Sequence, residues 1–261
     1  MDSSDVTIWH PADVFSDNPS NHKGFALIAL NQPLELPSVI YRRLWDNAIY
    51  HIAADGGANR VLAEEKKAKN YLDIDTVIGD FDSMDSGLKQ YFKDNGTEII
   101  RDDDQYSTDF AKAVKLENAK GLKAPLNIMC LGGLGGRVDQ GLSQLHHLYM
   151  FQQEPDYSSG KMFLFSNEAI TFVLKSGKHK IKVRDGSDLI RFGKHIGIIP
   201  IKEPSVITTN GLEWDVTDWA TEFGGQISTS NHVKDDWAFI ETTKDVIFTI
   251  DLVINLSGVE R

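Results

Sequence analysis

The chain has 261 residues, of which 41% are hydrophobic and 25% charged, so it can bury a sizeable core in one or two globular domains. Its formal net charge of -11 argues against nucleic acid as the main partner, because phosphate backbones are held by an excess of basic side chains. Its one cysteine, Cys130, excludes an intrachain disulfide and a cysteine-rich zinc site. Residues 1–23 are polar and contain neither the apolar core of a signal peptide nor a membrane span. We therefore expect a loosely packed leader, with a short ordered piece at 6–9, on a cytoplasmic protein without a membrane partner.

Residues 24–157 alternate between strand-like and helix-like patterns. Short apolar runs predict strands at 25–30, 50–54, 74–78, 98–100 and 126–131. Helical patterns follow each of them, at about 39–48, after the glycine turn at 55–60, at 85–95, at 107–119 and up to 149. Such alternation over short connections is typical of a mostly parallel sheet with helices on both faces. We therefore predict a doubly wound α/β domain over 24–157.

The pattern changes after residue 151. Residues 152–160 are polar and contain Pro and Ser, which indicates a domain boundary. Short β-branched or aromatic runs follow, at 162–165, 169–174, 179–183, 195–201, 206–209, 212–216, 227–230, 237–242 and 246–254. Asn210-Gly211 is a strong hairpin signal. We predict an antiparallel β-sandwich over 158–261, in which Trp214 is either buried, the favoured alternative, or stacked on a ligand ring.

Polar groups follow four of the predicted parallel strands: Asp55, then Asp80 and Asp82, then 102–105 with Asp109, and last 132–139. The carboxyl ends of parallel strands meet at one edge, where open α/β sheets bind ligands, so we expect these groups to converge. If the backbone stays extended past Gly79, Asp80 and Asp82 point the same way. Carboxylates held this close repel each other unless a cation lies between them, and Mg²⁺ is the natural candidate.

Each carboxylate also has an ordinary alternative role. Asp80 and Asp82 can cap the following helix or hold a turn. Asp109 can simply favour the positive end of its own helix. The acidic triplet 102–104 fits a solvated loop better than a metal site, with Asp104 as its one credible ligand.

A glycine-rich turn lies between the fifth predicted strand and its helix, with glycines at Gly132, Gly133, Gly135 and Gly136. Such a turn lets backbone N–H groups approach a phosphate, and the helix N-terminus adds a favourable field. It has neither the Walker A pattern nor the G-x-G-x-x-G spacing. Arg137 adds a planar donor fork suited to phosphate, although a surface ion pair with Asp139 is its alternative.

Five motifs, in this order and at family-like spacing, resemble those of thiamine pyrophosphokinases. They are Asp55-Gly56-Gly57-Ala58-Asn59-Arg60, Gly79-Asp80-Phe81-Asp82-Ser83, Asp104-Gln105 with Thr108-Asp109-Phe110, Gly132-Gly133-Leu134-Gly135-Gly136-Arg137-Val138-Asp139-Gln140 and Ser228-Thr229-Ser230-Asn231. The likeness runs from about residue 25 to the C-terminus. It implies transfer of a pyrophosphoryl group from ATP to the hydroxyethyl group of thiamine, giving thiamine diphosphate and AMP. It also implies a homodimer whose active site lies between the α/β domain of one subunit and the β-sandwich of the other.

The resemblance implies a role for each matching residue. Three carboxylates, Asp80, Asp82 and Asp109, would bind Mg²⁺. ATP would be flanked by Asp55, Gly56, Gly57, Asn59, Arg60, the four glycines of the glycine-rich turn and Arg137. Thiamine would be faced by Gln105, Trp214, Ser228, Ser230 and Asn231. The proton acceptor would be Asp82, Asp109 or Asp139, and the sequence leaves this choice open.

Two stretches depart from the family pattern, the leader and residues 185–194. The sequence also leaves open whether Asp235, Asp236 or neither occupies the family's acidic position. Two rival functions also fit the same residues. A Mg²⁺-dependent phosphohydrolase would use the carboxylates to activate water. A non-catalytic sensor of thiamine or nucleotide would keep the fold without turnover.

Overall fold

The computed structural model describes residues 6–17, 24–85, 87–119, 125–255 and 257, which form two compact units. The α/β unit contains the described residues from 24 to 153 together with 157–167. The β unit contains 6–17, 154–156 and the described residues from 168 onward. The rest of the predicted leader, and residue 86 in the helix predicted at 85–95, lie outside the described residues. The predicted boundary at residue 157 stays a prediction.

The described part of the leader belongs to the β unit. It forms strand β1 (Val6–Trp9) and a 3-10 helix (Pro11–Phe15). Trp9 and Phe15 are completely buried, and the Trp9 indole N–H donates to His179 Nδ1 at 3.1 Å. Residues 6–9 are thus the ordered piece that the sequence predicts, but residues 6–17 are not loosely packed, because their large apolar side chains enter the core.

The α/β unit alternates strands and helices as predicted. Its elements are β2 (Phe25–Ala29), α1 (Ser38–Asn47), β3 (Tyr50–Ala54), α2 (Gly57–Ala68), β4 (Thr76–Gly79), α3 (Leu88–Asp94), β5 (Glu98–Arg101), α4 (Asp109–Ala119), β6 (Asn127–Leu131), α5 (Val138–Phe151) and β7 (Met162–Phe165). Helix α1 buries Ile40, Tyr41, Leu44 and Trp45, the spacing that lays one helical face on the sheet. Helix α3 begins at Leu88, later than predicted, after Gly87 in the left-handed conformation (φ 92°).

The strands of the α/β unit form one parallel sheet in the order β7-β6-β2-β3-β4-β5. Every residue of β2 is buried, because this strand has neighbours on both sides and helices on its faces. The chain steps outward from β2 to β5 and then returns to place β6 on the other side of β2. The strand order therefore reverses between β2 and β6, and such a switch point opens a crevice at the carboxyl ends of the two strands.

The β unit consists of two sheets. Its remaining strands are β8 (Ala169–Leu174), β9 (Gly177–Lys182), β10 (Ile190–Ile199), β11 (Ser205–Asn210), β12 (Trp219–Thr221), β13 (Ser228–His232), β14 (Trp237–Thr242) and β15 (Val246–Ile254). One sheet has the order β1-β9-β14-β11-β12, and β13, β10, β15 and β8 are neighbours in the other. Trp9 from the first sheet stacks on Phe172 from the second, with ring centroids 4.6 Å apart. The predicted fold class, an α/β sheet followed by an antiparallel sandwich, is confirmed.

One predicted strand is wrong. Residues 212–216 form a turn, and of these residues Leu212 makes an isolated bridge to Val233. The Asp215 carboxylate accepts hydrogen bonds from Thr209 Oγ1 (2.9 Å) and from the backbone N–H groups of Gly211 (3.0 Å) and Leu212 (3.2 Å). These bonds curl the chain, so β11 pairs with β12 across a wide loop rather than through a tight Asn210-Gly211 hairpin.

One smaller difference concerns the start of a strand. Strand β10 begins at residue 190 rather than 195, since Gly186 and Arg191 bridge the preceding turn.

Among the described residues, no helix is both long and apolar enough to cross a membrane.

Candidate active site

Three carboxylates meet at the carboxyl edge of the parallel sheet. Asp55 follows β3, Asp80 follows β4, and Asp109 begins α4 after β5. Each offers one carboxylate oxygen, and these oxygens all lie within 4.8 Å of one another. We call these three side chains the carboxylate group. The strands β3, β4 and β5 are adjacent and parallel, so their carboxyl ends bring the three side chains to one place.

Asp55 is the most buried member of the group, with 2% of its surface exposed. Its Oδ2 accepts the backbone N–H of Ser83 at 3.1 Å, whereas its Oδ1 is buried with no hydrogen-bond partner among the described residues. Burial raises the pKa of Asp55, and the negative charges of Asp109, Asp82 and Asp80 raise it further. A buried carboxylate oxygen with acidic neighbours and no donor is costly unless a cation compensates it, so the group fits a divalent metal ion.

Asp109 has one cationic neighbour, Lys112, which follows one helical turn later. The two form a 3.2 Å ion pair, and the almost fully buried Lys112 ammonium also donates to the Asp102 carbonyl at 2.9 Å. Burial raises the pKa of Asp109, and this effect is larger than the lowering caused by Lys112. The negative charges of Asp80 and Asp82 raise the pKa further. Sequence reasoning missed Lys112, although its i, i+3 spacing from Asp109 places both on one helix face.

Asp82 does not join the group, because the backbone is not extended past Asp80. Phe81 is in the left-handed region (φ 67°), and Asp80 Oδ1 accepts the N–H of Asp82 at 3.1 Å. Asp82 Oδ1 instead accepts the Ser83 hydroxyl at 2.8 Å. The condition for strand-like alternation of Asp80 and Asp82, an extended backbone past Gly79, is therefore not met. Of the two ordinary alternatives, capping of α3 is wrong, since Gly87 precedes this helix and no side chain of the described residues caps it. The other is confirmed, because Asp80 holds a turn through the Asp82 N–H.

The loop after β5 adds Gln105 to this edge. Gln105 Nε2 donates to Asp80 Oδ2 at 3.1 Å, so it contacts the carboxylate group directly. The pKa of Asp80 is lowered by the N–H of Asp82 and then by Gln105. Asp104 is exposed and accepts the N–H of Tyr106 at 2.9 Å, and it lies outside the carboxylate group.

A cleft of about 520 Å³ opens in the α/β unit at the switch point between β2 and β6. It is lined by residues that follow four of the parallel strands and by one face of α5: Leu30, Asn31, Gln32, Ala54, Asp55, Gly56, Ser83, Thr108, Asp109, Phe110, Arg137, Gln140, Ser143 and Gln144. Sequence reasoning missed Asn31 and Gln32. Both follow β2. Gln32 lies against the glycine-rich turn because β6 is next to β2, and Asn31 lies against Gly56 and Arg60 because β3 is on the other side of β2.

The glycines at the cleft allow close approach of the backbone. A Cβ on Gly132 would lie 2.8 Å from Gln32 Cβ, and Gly132 is in the left-handed region (φ 81°). A Cβ on Gly79 would lie 2.6 Å from Asp55 Cβ, so only glycine lets β4 end against that carboxylate.

Gly57 gives a direct test of this packing. We expect Gly57→Ala to lower the free energy of unfolding by about 3 kcal/mol, because its Cβ would lie 2.1 Å from the Ala29 carbonyl oxygen, a contact the backbone must move to relieve. Gly135→Ala is the matched control, with nothing within 4 Å of its Cβ and an expected change below about 0.5 kcal/mol. Urea denaturation of both variants measures the difference. Equal stabilities would contradict the close packing at Gly57.

The remaining predicted ATP residues have polar partners within the α/β unit. Arg137 forms a two-point ion pair with Asp139, with Nε–Oδ1 at 3.0 Å and Nη2–Oδ2 at 2.6 Å, and both side chains are exposed. The hydrogen bond from Arg137 lowers the pKa of Asp139, which makes this carboxylate a weaker proton acceptor. Asn59 Nδ2 donates to the Ser83 carbonyl at 2.8 Å, and Arg60 Nε donates to Asn31 Oδ1 at 2.9 Å.

Among the predicted thiamine residues of the β unit, Asn231 contacts Trp214. The indole is 57% exposed and packs on the His232 ring with centroids 4.8 Å apart, so the prediction that Trp214 is buried is wrong. The buried Asn231 amide holds this turn, since Oδ1 accepts the N–H of Trp214 (3.2 Å) and Nδ2 donates to its carbonyl (2.9 Å). Ser230 is exposed in the left-handed region (φ 56°), and Ser228 begins β13. Asp236 forms an ion pair with Lys182 at 3.2 Å. Among the described residues, Asp235 forms none.

Comparison with known proteins agrees with the motifs. A family model described as "Thiamin pyrophosphokinase, catalytic domain" matches residues 41–157, and one described as "Thiamin pyrophosphokinase, vitamin B1 binding domain" matches 178–247. The chain is 34% identical to thiamine pyrophosphokinase 3 of Oryza sativa subsp. japonica over 245 residues, which cover 87% of each chain. It is 32% identical to thiamine pyrophosphokinase 1 of Arabidopsis thaliana, with 97% of this chain and 96% of that one covered.

Solved structures show the same fold. The crystal structure of yeast thiamin pyrophosphokinase superposes with a TM-score of 0.81 at 24% identity and covers 97% of this chain and 94% of its own. Thiamin pyrophosphokinase from Candida albicans gives a TM-score of 0.79 at 24% identity, with 98% and 95% covered. The two family models and the identity to the plant relatives over most of the chain show that this protein belongs to the thiamine pyrophosphokinase family.

Proposed function

We propose that this chain transfers the pyrophosphoryl group of ATP to the hydroxyethyl group of thiamine, giving thiamine diphosphate and AMP. The observation that carries the proposal is the group formed by Asp55, Asp80 and Asp109, with its unpartnered buried oxygen, at the edge of a cleft. This cleft is also lined by Gln32, which packs against the glycine-rich turn, and by Arg137, which follows that turn. This combination suits a ligand with several phosphates and a divalent cation.

The carboxylate group would hold Mg²⁺, with Asp80, Asp109 and the buried Asp55 as the ligands the geometry favours and Asp82 as the further ligand implied by the family resemblance. A bound Mg²⁺ ion neutralises phosphate charge and favours attack at phosphorus. Hard carboxylate oxygens are the donors that this ion prefers, so the residues present fit it.

The other residues of the cleft would bind and orient ATP. Attack of an alcohol on the β-phosphorus depends on charge neutralisation and in-line placement more than on a covalent catalyst. The N–H groups of the glycine-rich turn and of the start of α5, which follows it, would suit phosphate oxygens. Arg137 would leave Asp139 to bind a phosphate in two-point fashion, and Asp55, Gly56, Gly57, Asn59 and Arg60 would border the nucleotide.

Gln105 and the Trp214 group, formed by Trp214, Ser228, Ser230 and Asn231, would each face thiamine. An exposed indole in an acidic protein suits the cationic thiazolium ring. The proton of the hydroxyethyl group would go to Asp82, Asp109 or Asp139.

The proposal includes a homodimer with its active site between subunits, and a cytoplasmic location, where ATP is supplied. Helix α5 supports the dimer, since it exposes two apolar side chains one turn apart, Val138 (78%) and Leu142 (58%). Tyr106, which follows Gln105 in the loop after β5, is fully exposed as well. Exposed apolar groups of this kind are typical of interaction surfaces.

An assay with ATP, Mg²⁺ and thiamine tests the function. We expect AMP to form only when thiamine is present, with one thiamine diphosphate per AMP. Release of ADP or phosphate without thiamine would support a phosphohydrolase instead, and binding of both ligands without turnover would support a sensor. Omission of thiamine and addition of a chelator are the controls.

Addition of Mg²⁺ to protein prepared without metal should also raise its Tm. A ligand at 100 times its dissociation constant adds about 2.7 kcal/mol, so we expect Tm to rise by several degrees in the wild type and not in Asp109→Asn. The pKa values of Asp55 and Asp109 are raised in the folded chain, so their ionisation destabilises the metal-free fold as pH rises through them. Mg²⁺ relieves this repulsion and competes with protons, so the rise in Tm should grow with pH over the same range. A rise that shrinks with pH would contradict the site.

A further inference from the structure

Helix α5 buries two polar side chains next to each other on one face, Gln144 and His147. Their i, i+3 spacing makes them neighbours on the helix surface. Neither belongs to the motifs that indicate the family. His147 is bonded to the start of α4 and Gln144 to the glycine-rich turn, and we call these two segments the walls.

The hydrogen bonds of His147 have a defined direction. Its Nδ1 lies 2.5 Å from the Ser143 carbonyl oxygen, which can only accept, so Nδ1 carries the proton. Nε2 is then an acceptor, and the Thr108 hydroxyl, 2.7 Å away, donates to it. Thr108 Oγ1 in turn accepts the backbone N–H of Ala111 at 3.1 Å. The three bonds form one chain from α5 to the first turn of α4.

Thr108 is the residue directly before Asp109, and its side chain caps α4. Its carbonyl also accepts the N–H of Lys112 at 3.0 Å. The start of α4, which carries both Asp109 and its ion-pair partner, is therefore held through Thr108 by His147.

Gln144 holds the opposite wall. Its Nε2 donates to the Gly132 carbonyl at 3.1 Å, and its Oε1 accepts the N–H of Leu134 in a short hydrogen bond. Leu134 is in the left-handed region (φ 44°), a conformation that a non-glycine residue adopts only when its surroundings hold it there. Gln144 thus fixes the shape of the glycine-rich turn.

We propose that Gln144 and His147 are positioning residues that set the distance between the Asp109 carboxylate and the glycine-rich turn, and so between the metal and the phosphates. The inference rests on the proposed function, because it assigns the two walls to a metal-bound nucleotide. Displacement of a reacting group by about 1 Å can cost 10²-fold in rate, so a rigid link between the walls serves the reaction.

Packing alone is the alternative role for His147. Its ring stacks on Phe110 (4.8 Å, 29°) and on Phe151 (6.1 Å, 24°). His147→Phe separates the two roles, since phenylalanine keeps a flat ring in this stack and has no hydrogen-bonding nitrogen. Thr108→Val removes the hydroxyl at constant shape, and Thr108→Ser keeps it. Phe151→Leu disturbs the stack without touching the hydrogen bonds, which makes it the matched control.

The experiment measures steady-state kinetics and the binding of Mn²⁺, a spin-visible substitute for Mg²⁺, to each full-length variant. For His147→Phe and Thr108→Val we expect about tenfold lower kcat, about tenfold weaker Mn²⁺ binding, and a KM for thiamine within about twofold of wild type. Thr108→Ser and Phe151→Leu should match the wild type in all three. The double variant His147→Phe/Thr108→Val should be no worse than either single variant, because both break one chain of bonds.

The outcomes separate this inference from the proposed function. If the wild type binds no Mn²⁺, the metal site and the positioning role fail together. If the wild type binds Mn²⁺ and His147→Phe matches it in binding and kcat, the positioning role alone is overturned. Should His147→Phe not fold, the comparison of Thr108→Val with Thr108→Ser decides, and equal Mn²⁺ binding by these two would overturn the inference.

Discussion

Asp80→Asn is expected to lower pyrophosphoryl transfer by about 10³-fold, which corresponds to roughly 4 kcal/mol of transition-state stabilisation. Asp80 is the member of the carboxylate group that contacts both Gln105 and the Asp82 backbone, and asparagine keeps its shape while removing the charge. Asp80 is also half exposed, so the folding transition should stay within about a degree of wild type. Coupled detection of AMP and a thermal melt measure the two quantities.

Asp103→Asn is the control for simple loss of negative charge. Asp103 belongs to the neighbouring acidic loop, is exposed, and pairs with Arg101 at 2.7 Å. Exposed ion pairs contribute little, so this variant should keep full activity. Wild-type turnover by Asp80→Asn, or an equal loss in both variants, would remove Asp80 from the mechanism.

Mixing two inactive chains should restore activity if sites are shared between subunits. Asp80→Asn inactivates the α/β unit, and Trp214→Ala removes an exposed side chain from the β unit. After random exchange half of the dimers contain one chain of each kind, and one of their two sites combines both intact units, so about a quarter of wild-type activity should return. The measurement is AMP formation before and after subunit exchange, with mixed dimers quantified by mass spectrometry.

The control mixes Asp80→Asn with Asp109→Asn. Both changes lie in the α/β unit, so every site in the mixed dimer keeps one defect and activity should not return. Mixed dimers of Asp80→Asn and Trp214→Ala that form without regaining activity would show that each site lies within one chain.

Local patterns predicted most of the elements. The continuous apolar run at 25–30 predicts a doubly buried strand, and β2 is buried along its whole length. The glycine-rich turn after β6 and the acidic residues after β3, β4 and β5 are likewise visible in the sequence. These features depend on side-chain type and on periods of two or 3.6 residues, which do not require knowledge of distant contacts.

Local patterns did not predict the places where a side chain accepts hydrogen bonds from the backbone and so changes the path of the chain. The Asp215 carboxylate converts a strand-like run into a turn, and the left-handed Phe81 turns Asp82 away from the alternation expected of a strand. In both places a β-like pattern is overridden by hydrogen bonds to a carboxylate oxygen.

The sequence by itself determined the family, the alternation of strands and helices, and the set of acidic and glycine residues at the carboxyl edge of the sheet. Only the tertiary structure decided which of them meet. The return of the chain to place β6 beside β2 brings Gln32 to the glycine-rich turn, and the adjacency of β3, β4 and β5 joins the buried Asp55 to Asp80 and Asp109. Strand order is set by how apolar faces pack between residues far apart in the chain, so no local pattern contains it.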